Sequence, residues 1–367
     1  MSKTLPLFDA YPQLQKGLPF VSLGVYPTPV EPLPGCSGIC QVYIKRDDLS
    51  GEEYGGNKIR KLEFELGEAR RQGIREVMTF GCDGSNHALA TGIYAKKVGM
   101  QSTSILRTQH NARYVRKNLL KSMYYGIQMH HCETLEEMDA LAALLQRQNA
   151  EKTGRPVYQI PVGGSSPLGT VGFVNAAFEL RQQVNAGLLP EPDYIYAAAG
   201  TLGTVAGLTI GLDALGMKTK VVAVKVNSEN RINAENYAEL MNSTAALLRN
   251  ADPSFPVLAY EPEDVRIEEK YYGGDYAIFT EEGVSAVNFM KEKYGIALEG
   301  TYTGKTCAAM LEAVREPVNQ GKTVLFWNTL NSREPYPQAL QADYHGLPKE
   351  FWRYFEEDVQ PLDHKLL

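Results

Sequence analysis

The chain has 367 residues, 44% of them hydrophobic and 22% charged, which is enough for two domains with substantial cores. A net charge of -6 argues against a nucleic-acid or anionic-membrane binder, because such proteins present a basic face. No apolar run reaches membrane-spanning length, the opening Met1-Ser2-Lys3-Thr4-Leu5-Pro6 lacks the apolar core of a signal peptide, and the expected compartment is the cytoplasm.

Residues 1–44 are proline-rich and read as extended segments and turns. Gln41 to Ile44 reads as a strand leading into the charged run Lys45-Arg46-Asp47-Asp48. The chain then passes Gly55-Gly56 and enters a helix, with Asn57 as N-cap and Ile59, Leu62, Leu66 and Ala69 as its apolar stripe up to Gly73. A regular alternation follows. Strands are expected at 76–80, 102–106, 127–131 and 157–160, and helices at 85–98, 115–125 and 135–148. A second alternation has helices at 170–186 and 205–215 and strands at 194–198 and 221–226. The Pro/Gly-rich segment 250–275 breaks it. Helices at 281–294 and 305–319 and a strand at 323–327 complete the pattern, and no element is expected between 227 and 249. Strands alternating with helices at this spacing imply βαβ units around parallel sheets. The alternation alone fits either consecutive domains or one domain inserted into another.

Lys58 falls in the first turn of its helix, where partial positive charge disfavours a cation. A nearby cation would lower its pKa further, and a lysine so shifted is a better nucleophile towards an aldehyde. Read without that shift, Lys58 is one solvated member of a basic cluster with Lys45, Arg46, Arg60 and Lys61. Gly81-Cys82-Asp83-Gly84-Ser85-Asn86-His87 lies between a strand and a helix, where ligands bind in open α/β sheets, although simple capping by Ser85 or Asn86 is common. Ala199-Gly200-Thr201-Leu202-Gly203-Thr204 again runs from strand to helix. Its glycines, threonine hydroxyls and helix start form a candidate phosphate loop. The loop misses the dinucleotide G-x-G-x-x-G spacing and the P-loop lysine, which counters a dehydrogenase reading. Cys36 with Cys40, and His130-His131-Cys132, lack a second pair at zinc spacing, so no metal is expected. The five scattered cysteines suit reduced thiols.

Four motifs together, Lys45-Arg46-Asp47-Asp48 with Gly55-Gly56-Asn57-Lys58-Ile59-Arg60-Lys61-Leu62-Glu63, Ser85-Asn86-His87, the Gly/Thr loop, and Leu298-Glu299-Gly300-Thr301-Tyr302-Thr303-Gly304-Lys305, resemble the 1-aminocyclopropane-1-carboxylate (ACC) deaminase and D-cysteine desulfhydrase family. The resemblance implies a pyridoxal 5'-phosphate enzyme with the two-domain, three-layer α/β architecture of the tryptophan synthase β-like fold (type II). It implies a large cofactor domain from 1–60 and 166–367, a small inserted domain at 61–165, and a homodimer.

It implies Lys58 as the cofactor lysine, Asn86 at the cofactor's phenolic oxygen, Thr201, Leu202, Gly203 and Thr204 around its phosphate, and Thr303 at the pyridine nitrogen. Ser85, Asn86, His87, Tyr276 and Tyr302 would meet the substrate, with Lys58 as base and Tyr302, then Ser85, handling protons. The family more often has glutamine where this chain has Gly84, which is expected to enlarge or reshape the pocket. The residues after Tyr276 also depart from the family pattern. Asn328 and Thr329, after the last strand, are candidates to border the site, and Trp327 is expected in the core.

A neutral Thr303 gives a weaker electron sink than a carboxylate would. That suffices for β-elimination and is poorly suited to opening a cyclopropane. The expected reaction is therefore α,β-elimination from a small amino acid, D-cysteine above all. ACC deamination and a serine- or diaminopropionate-type ammonia-lyase are the alternatives, and a non-catalytic cofactor-binding relative is the reading from another class.

Overall fold

A computed structural model describes residues 5–228, 230–334 and 336–367. Met1 to Thr4, read above against a signal peptide, lie outside the described residues. The elements in chain order are α1 (Pro6–Ala10), α2 (Pro12–Gly17), β1 (Val30–Pro32), β2 (Gln41–Lys45), α3 (Lys58–Arg71), β3 (Glu76–Cys82), α4 (Asn86–Lys97), β4 (Gln101–Arg107), α5 (Arg113–Tyr125), β5 (Gln128–Cys132) and α6 (Leu135–Thr153). They continue with β6 (Tyr158–Ile160), α7 (Pro167–Asn185), β7 (Tyr194–Ala199), α8 (Gly203–Ala214), β8 (Lys220–Lys225), α9 (Ala234–Ala251), β9 (Ile267–Glu268), α10 (Glu281–Tyr294), α11 (Thr303–Ala313), β10 (Thr323–Trp327) and α12 (Arg353–Glu356). Among the described residues, no helix is long and apolar enough to cross a membrane.

Two sheets organise the chain. One has the order β1-β2-β10-β7-β8-β9 and draws strands from both ends of the sequence; the other, β5-β4-β3-β6, comes entirely from the segment between. All pairings are parallel except β1 with β2. Parallel strands need covered faces. In the larger sheet one face buries Ile195, Ala197, Val221 and Leu325 against α7, α8 and α9, and the other buries Tyr196, Val222, Val224 and Phe326 against α10 and α11. This gives three layers. α7 is buried around most of its circumference, with Gly172 admitting the Arg60 carbonyl of α3 at 2.0 Å from where a Cβ would stand.

The charged run before Lys58 is not a solvated face. Lys45 Nζ meets Glu179 Oε1 at 2.5 Å, and Arg60 bridges Asp47 Oδ1 at 2.7 Å and Glu179 Oε2 at 3.0 Å, all of them buried. Trp327 lies in the core as expected and donates from Nε1 to Asp47 Oδ2 at 2.8 Å. Removing one member would leave a buried charge unpaired, so the network pins the root of α3 to α7 and β10.

Three differences from the sequence reading have physical causes. The proline-rich start forms α1 and α2 because each proline stands at the first helical position, where its missing N–H is harmless. α9 occupies the stretch where no element is expected; Tyr237, Met241, Ala245 and Leu248 give it a helical stripe. The helix expected over 305–319 starts at Thr303 and ends at Ala313, before Pro317.

Candidate active site

A cavity of about 1090 Å³ opens at the carboxyl ends of the parallel strands, where such sheets place their ligands. Lys58, Ser85, Asn86, His87, Thr201, Leu202, Thr204, Tyr276, Tyr302 and Thr303 all line it. Gly203 sits behind the wall, its N–H donating to Ser165 Oγ at 3.2 Å. Thr329 also lines the cavity, whereas Asn328 is fully buried beneath it and holds Leu330 N through Oδ1 at 3.3 Å.

Lys58 is the first residue of α3, delivered by a turn in which Gly56 adopts φ +91. A side chain at Gly56 would fall 2.8 Å from the Thr329 carbonyl, so glycine is required there. Burial lowers the Lys58 amine to about 8, while the side chain stays partly open to the cavity. Desolvation is the cause, not the neighbouring cation offered by the sequence reading. The cap assignment changes as well. Asn57 makes no side-chain cap and instead donates from Nδ2 to Thr204 Oγ1 at 2.9 Å, tying the Lys58 turn to the start of α8.

That start is built to receive an anion. Leu202 holds a left-handed φ of 65 with its side chain in the core, so the backbone of Thr201 to Thr204 carries the loop. Lys61 reaches the same place: its Nζ donates to Gly163 O at 3.1 Å and Ser165 Oγ at 2.9 Å, and lies 2.9 Å from where a Gly203 Cβ would stand. Ser165 Oγ also meets Thr201 Oγ1 at 2.7 Å. Burial, and then the charge of Lys58, hold Lys61 well below its ordinary pKa. A phosphate would satisfy this cation and the free N–H groups of α8 together. The sequence reading left Lys61 as surface charge, although its place one helical turn after Lys58 was the available signal.

Ser85 caps α4, accepting from Ala88 N at 3.1 Å. Asn86 Oδ1 accepts from Tyr54 OH at 3.0 Å and from Asn118 Nδ2 at 2.9 Å. With its oxygen so engaged, the Asn86 amide nitrogen is left as the donor that a phenolate oxygen requires. Tyr54 and Asn118 are positioning residues that no sequence motif announced. His87 is buried beside Gly164, and burial together with the charges of Lys58 and Lys61 keeps its ring neutral.

Gly84 does not enlarge the pocket. A Cβ there would lie 2.8 Å from Val115 Cγ2, 3.0 Å from Tyr114 Cε2 and 3.1 Å from Gln109 Nε2. Gln109 fills the space, accepting from Gly84 N at 2.9 Å and donating to Tyr114 OH at 2.6 Å.

On the opposite wall Tyr276 and Tyr302 share a short hydroxyl-to-hydroxyl hydrogen bond, with ring centroids 6.1 Å apart. Burial raises both phenols well above their ordinary pKa, so both keep their protons. Gly200 makes room for the Tyr302 ring, whose Cε1 stands 3.2 Å from where a Cβ would be. Behind them, the buried Glu299 carboxylate accepts the N–H groups of Thr301 and Tyr302 at 2.7 Å and of Thr303 at 2.9 Å. The Thr303 hydroxyl also leans on it, at 3.3 Å. Burial pushes the Glu299 carboxyl up. Thr303 thus has a carboxyl group directly behind it.

The family model described as pyridoxal-phosphate dependent enzyme matches residues 21–329. A putative 1-aminocyclopropane-1-carboxylate deaminase of Pyrococcus furiosus is 32% identical over 325 residues, covering 87% of this chain and 94% of that one. A D-cysteine desulfhydrase of Klebsiella pneumoniae is 32% identical over 300 residues, covering 79% and 87%. The crystal structure of an ACC deaminase homologue superimposes with a TM-score of 0.76 at 32% identity, covering 92% of this chain and 99% of that one. The residues present fit the cofactor: a cation and a helix start for its phosphate, an oriented amide for its phenolic oxygen, and a low-pKa amine for its aldehyde. The chain belongs to the pyridoxal-phosphate dependent enzymes, with the type II, tryptophan synthase β-like fold.

Proposed function

We propose that the chain is a lyase that removes the β-substituent of a small amino acid by α,β-elimination, with D-cysteine giving pyruvate, ammonia and sulfide. The observation that carries the reading is the pairing, in one cavity, of an amine lowered to about 8 at Lys58 with the protonated phenols Tyr302 and Tyr276. Titratable groups pushed apart by their surroundings mark the base and the acid. Pyridoxal phosphate, when bound, supplies the aldehyde for the substrate amine and the sink for the charge left on the α-carbon.

The protein's own residues do the rest. Ser85 and the first N–H groups of α4 hold the α-carboxylate. Lys58 accepts the α-proton. The Cβ–S bond breaks with its electron pair on sulfur, and the Tyr302 hydroxyl, backed by Tyr276, gives that sulfur a proton. Water then converts the enamine product to pyruvate and ammonia. Thr201 and Thr204 with Lys61 hold the phosphate, Asn86 the phenolic oxygen, and Thr303 the ring nitrogen.

The reading includes residues 61–165 as a small inserted domain, a homodimer, and a cytoplasmic location. All five cysteines are unpaired, in keeping with a reducing compartment.

Keto-acid formation from D-cysteine, L-cysteine, D- and L-serine and ACC, measured in parallel with a Lys58→Ala control, tests the proposal. Pyruvate and sulfide from D-cysteine, lost in the control, support it. The second reading, favoured by the name of the archaeal relative, is ACC deamination, and oxobutyrate from ACC would establish it in place of the first.

A further inference from the structure

Anion recognition in the cavity does not end at the phosphate and the α-carboxylate. Arg107, the last residue of β4, and Arg231 also line the cavity. Arg107 Nε is buried without a hydrogen-bond partner, and no ion pair holds either guanidinium among the described residues. The acids of the same wall are engaged elsewhere. Asp83 is held by His131 at 3.2 Å and Tyr354 at 2.7 Å, Asp275 by His110 at 3.1 Å, Asp358 by His364 at 3.1 Å, and Glu357 by Arg353 at 3.6 Å. Glu299 takes backbone N–H groups, and Asp139 stands exposed at the rim on α6. A half-buried guanidinium without an acid is costly unless an anion visits it.

These cations are not where the α-carboxylate goes. A Cβ at Gly81 would lie 2.7 Å from Ser85 Oγ, so Ser85 occupies the face to which Gly81 points. Cys82, the next residue, pairs in register with Arg107, and strand alternation sends both side chains to the other face. Burial, and then the charge of Asp83, push the Cys82 thiol up to about 12, with Arg107 and Arg231 acting against them and Asp275 with them. The thiol in turn bears on Tyr276 and Tyr302. Arg107 and Arg231 thus line the same cavity as Tyr276 and Tyr302, with Arg107 on the face of its strand opposite the one Ser85 occupies, where a departing β-substituent can be met.

We propose that the preferred substrates are small amino acids whose β-substituent itself carries negative charge, a sulfonate or a phosphate ester, held by Arg107 and Arg231. This rests on the elimination reading above. The α-proton passes to Lys58, the Cβ–S or Cβ–O bond breaks with its electron pair on the departing sulfite or phosphate, and water converts the enamine to pyruvate and ammonia. Two guanidiniums stabilise the charge that the departing group carries away.

The test uses the holoenzyme with cysteate, O-phosphoserine, cysteine and β-chloroalanine, each as both enantiomers. Pyruvate release is followed, and substrate is titrated against the cofactor absorption band. One charged substrate should exceed the uncharged ones in kcat/KM by about 10-fold, a ratio that Arg107→Gln should lower by about 30-fold, with partial rescue in Arg107→Lys. Arg231→Gln, at an exposed position, should move the ratio the same way and guards against misfolding of the first variant. Faster turnover of cysteine or β-chloroalanine, or an equal loss on all substrates in Arg107→Gln, overturns the inference while elimination stands. No pyruvate and no spectral change with any substrate overturns the elimination reading and this inference with it.

Discussion

Asn57 Nδ2 donates to Thr204 Oγ1 at 2.9 Å, joining the turn that delivers Lys58 to the helix start that faces the phosphate. Both residues are buried, so the bond fixes the distance between the two ends of the cofactor site. Asn57→Ala and Thr204→Val should each weaken cofactor binding. A double-mutant cycle should give a coupling of about 1 kcal/mol. Equilibrium titration of apoprotein with pyridoxal phosphate measures it, and additive losses would show that the contact carries no energy.

Glu179 should be the acid-sensitive member of the ion network under α3. Arg60 and Lys45 together overcome the cost of burial and bring its carboxyl down to about 2 from an unfolded value near 4.5. Because the folded value is the lower one, its contribution is present above pH 4.5 and is lost as pH falls towards 2. Glu179→Gln should cost about 3–5 kcal/mol near neutral pH. The gap to the parent in denaturant unfolding should narrow on acidification.

Gly84→Ala should destabilise by about 1–3 kcal/mol, since the new methyl meets the stiff Val115 side chain at 2.8 Å. Pairing it with Val115→Ala should recover part of the loss in thermal unfolding. A stable single variant with narrowed substrate scope would contradict the packing described here.

Lys58 gives a stability signature of its own in the apoprotein. Its folded pKa of about 8 lies below the ordinary 10.5, so the unfolded chain binds more protons between those values. The burial penalty is fully present below pH 8 and fades as pH rises to 10.5. Lys58→Met should therefore raise the apoprotein Tm near neutral pH, and the gain should shrink above pH 8. Thermal scans across pH read this directly.

The alternating elements from β3 to β8 were legible in the sequence because they carry their own periods and each helix among them is followed within two residues by a glycine. The four motif loops were legible for a related reason: each joins a strand or turn to a helix start, where residue type betrays ligand chemistry. What local pattern could not show was partnership across long separations. Lys45, Arg60 and Glu179 look like surface charges until α7 is folded against α3. Lys61 gains its role only when Ser165 and Gly203 arrive beside it. Gln109 fills the space at Gly84 from a different loop, and Tyr54 and Asn118 orient Asn86 from two separate elements. α9 was legible and overlooked, its Tyr237, Met241, Ala245 and Leu248 stripe lying in plain view.

Three lysines near the cavity, Lys58, Lys61 and Lys305, are all held below their ordinary pKa by burial, and the account assigns the cofactor aldehyde to one of them. Borohydride reduction of the holoenzyme, followed by proteolysis and mass spectrometry, makes that attachment permanent and locates it. The account predicts the reduced cofactor mass on Lys58 alone, with loss of the visible band. Cofactor mass on Lys61 or Lys305, or on no peptide, would contradict it.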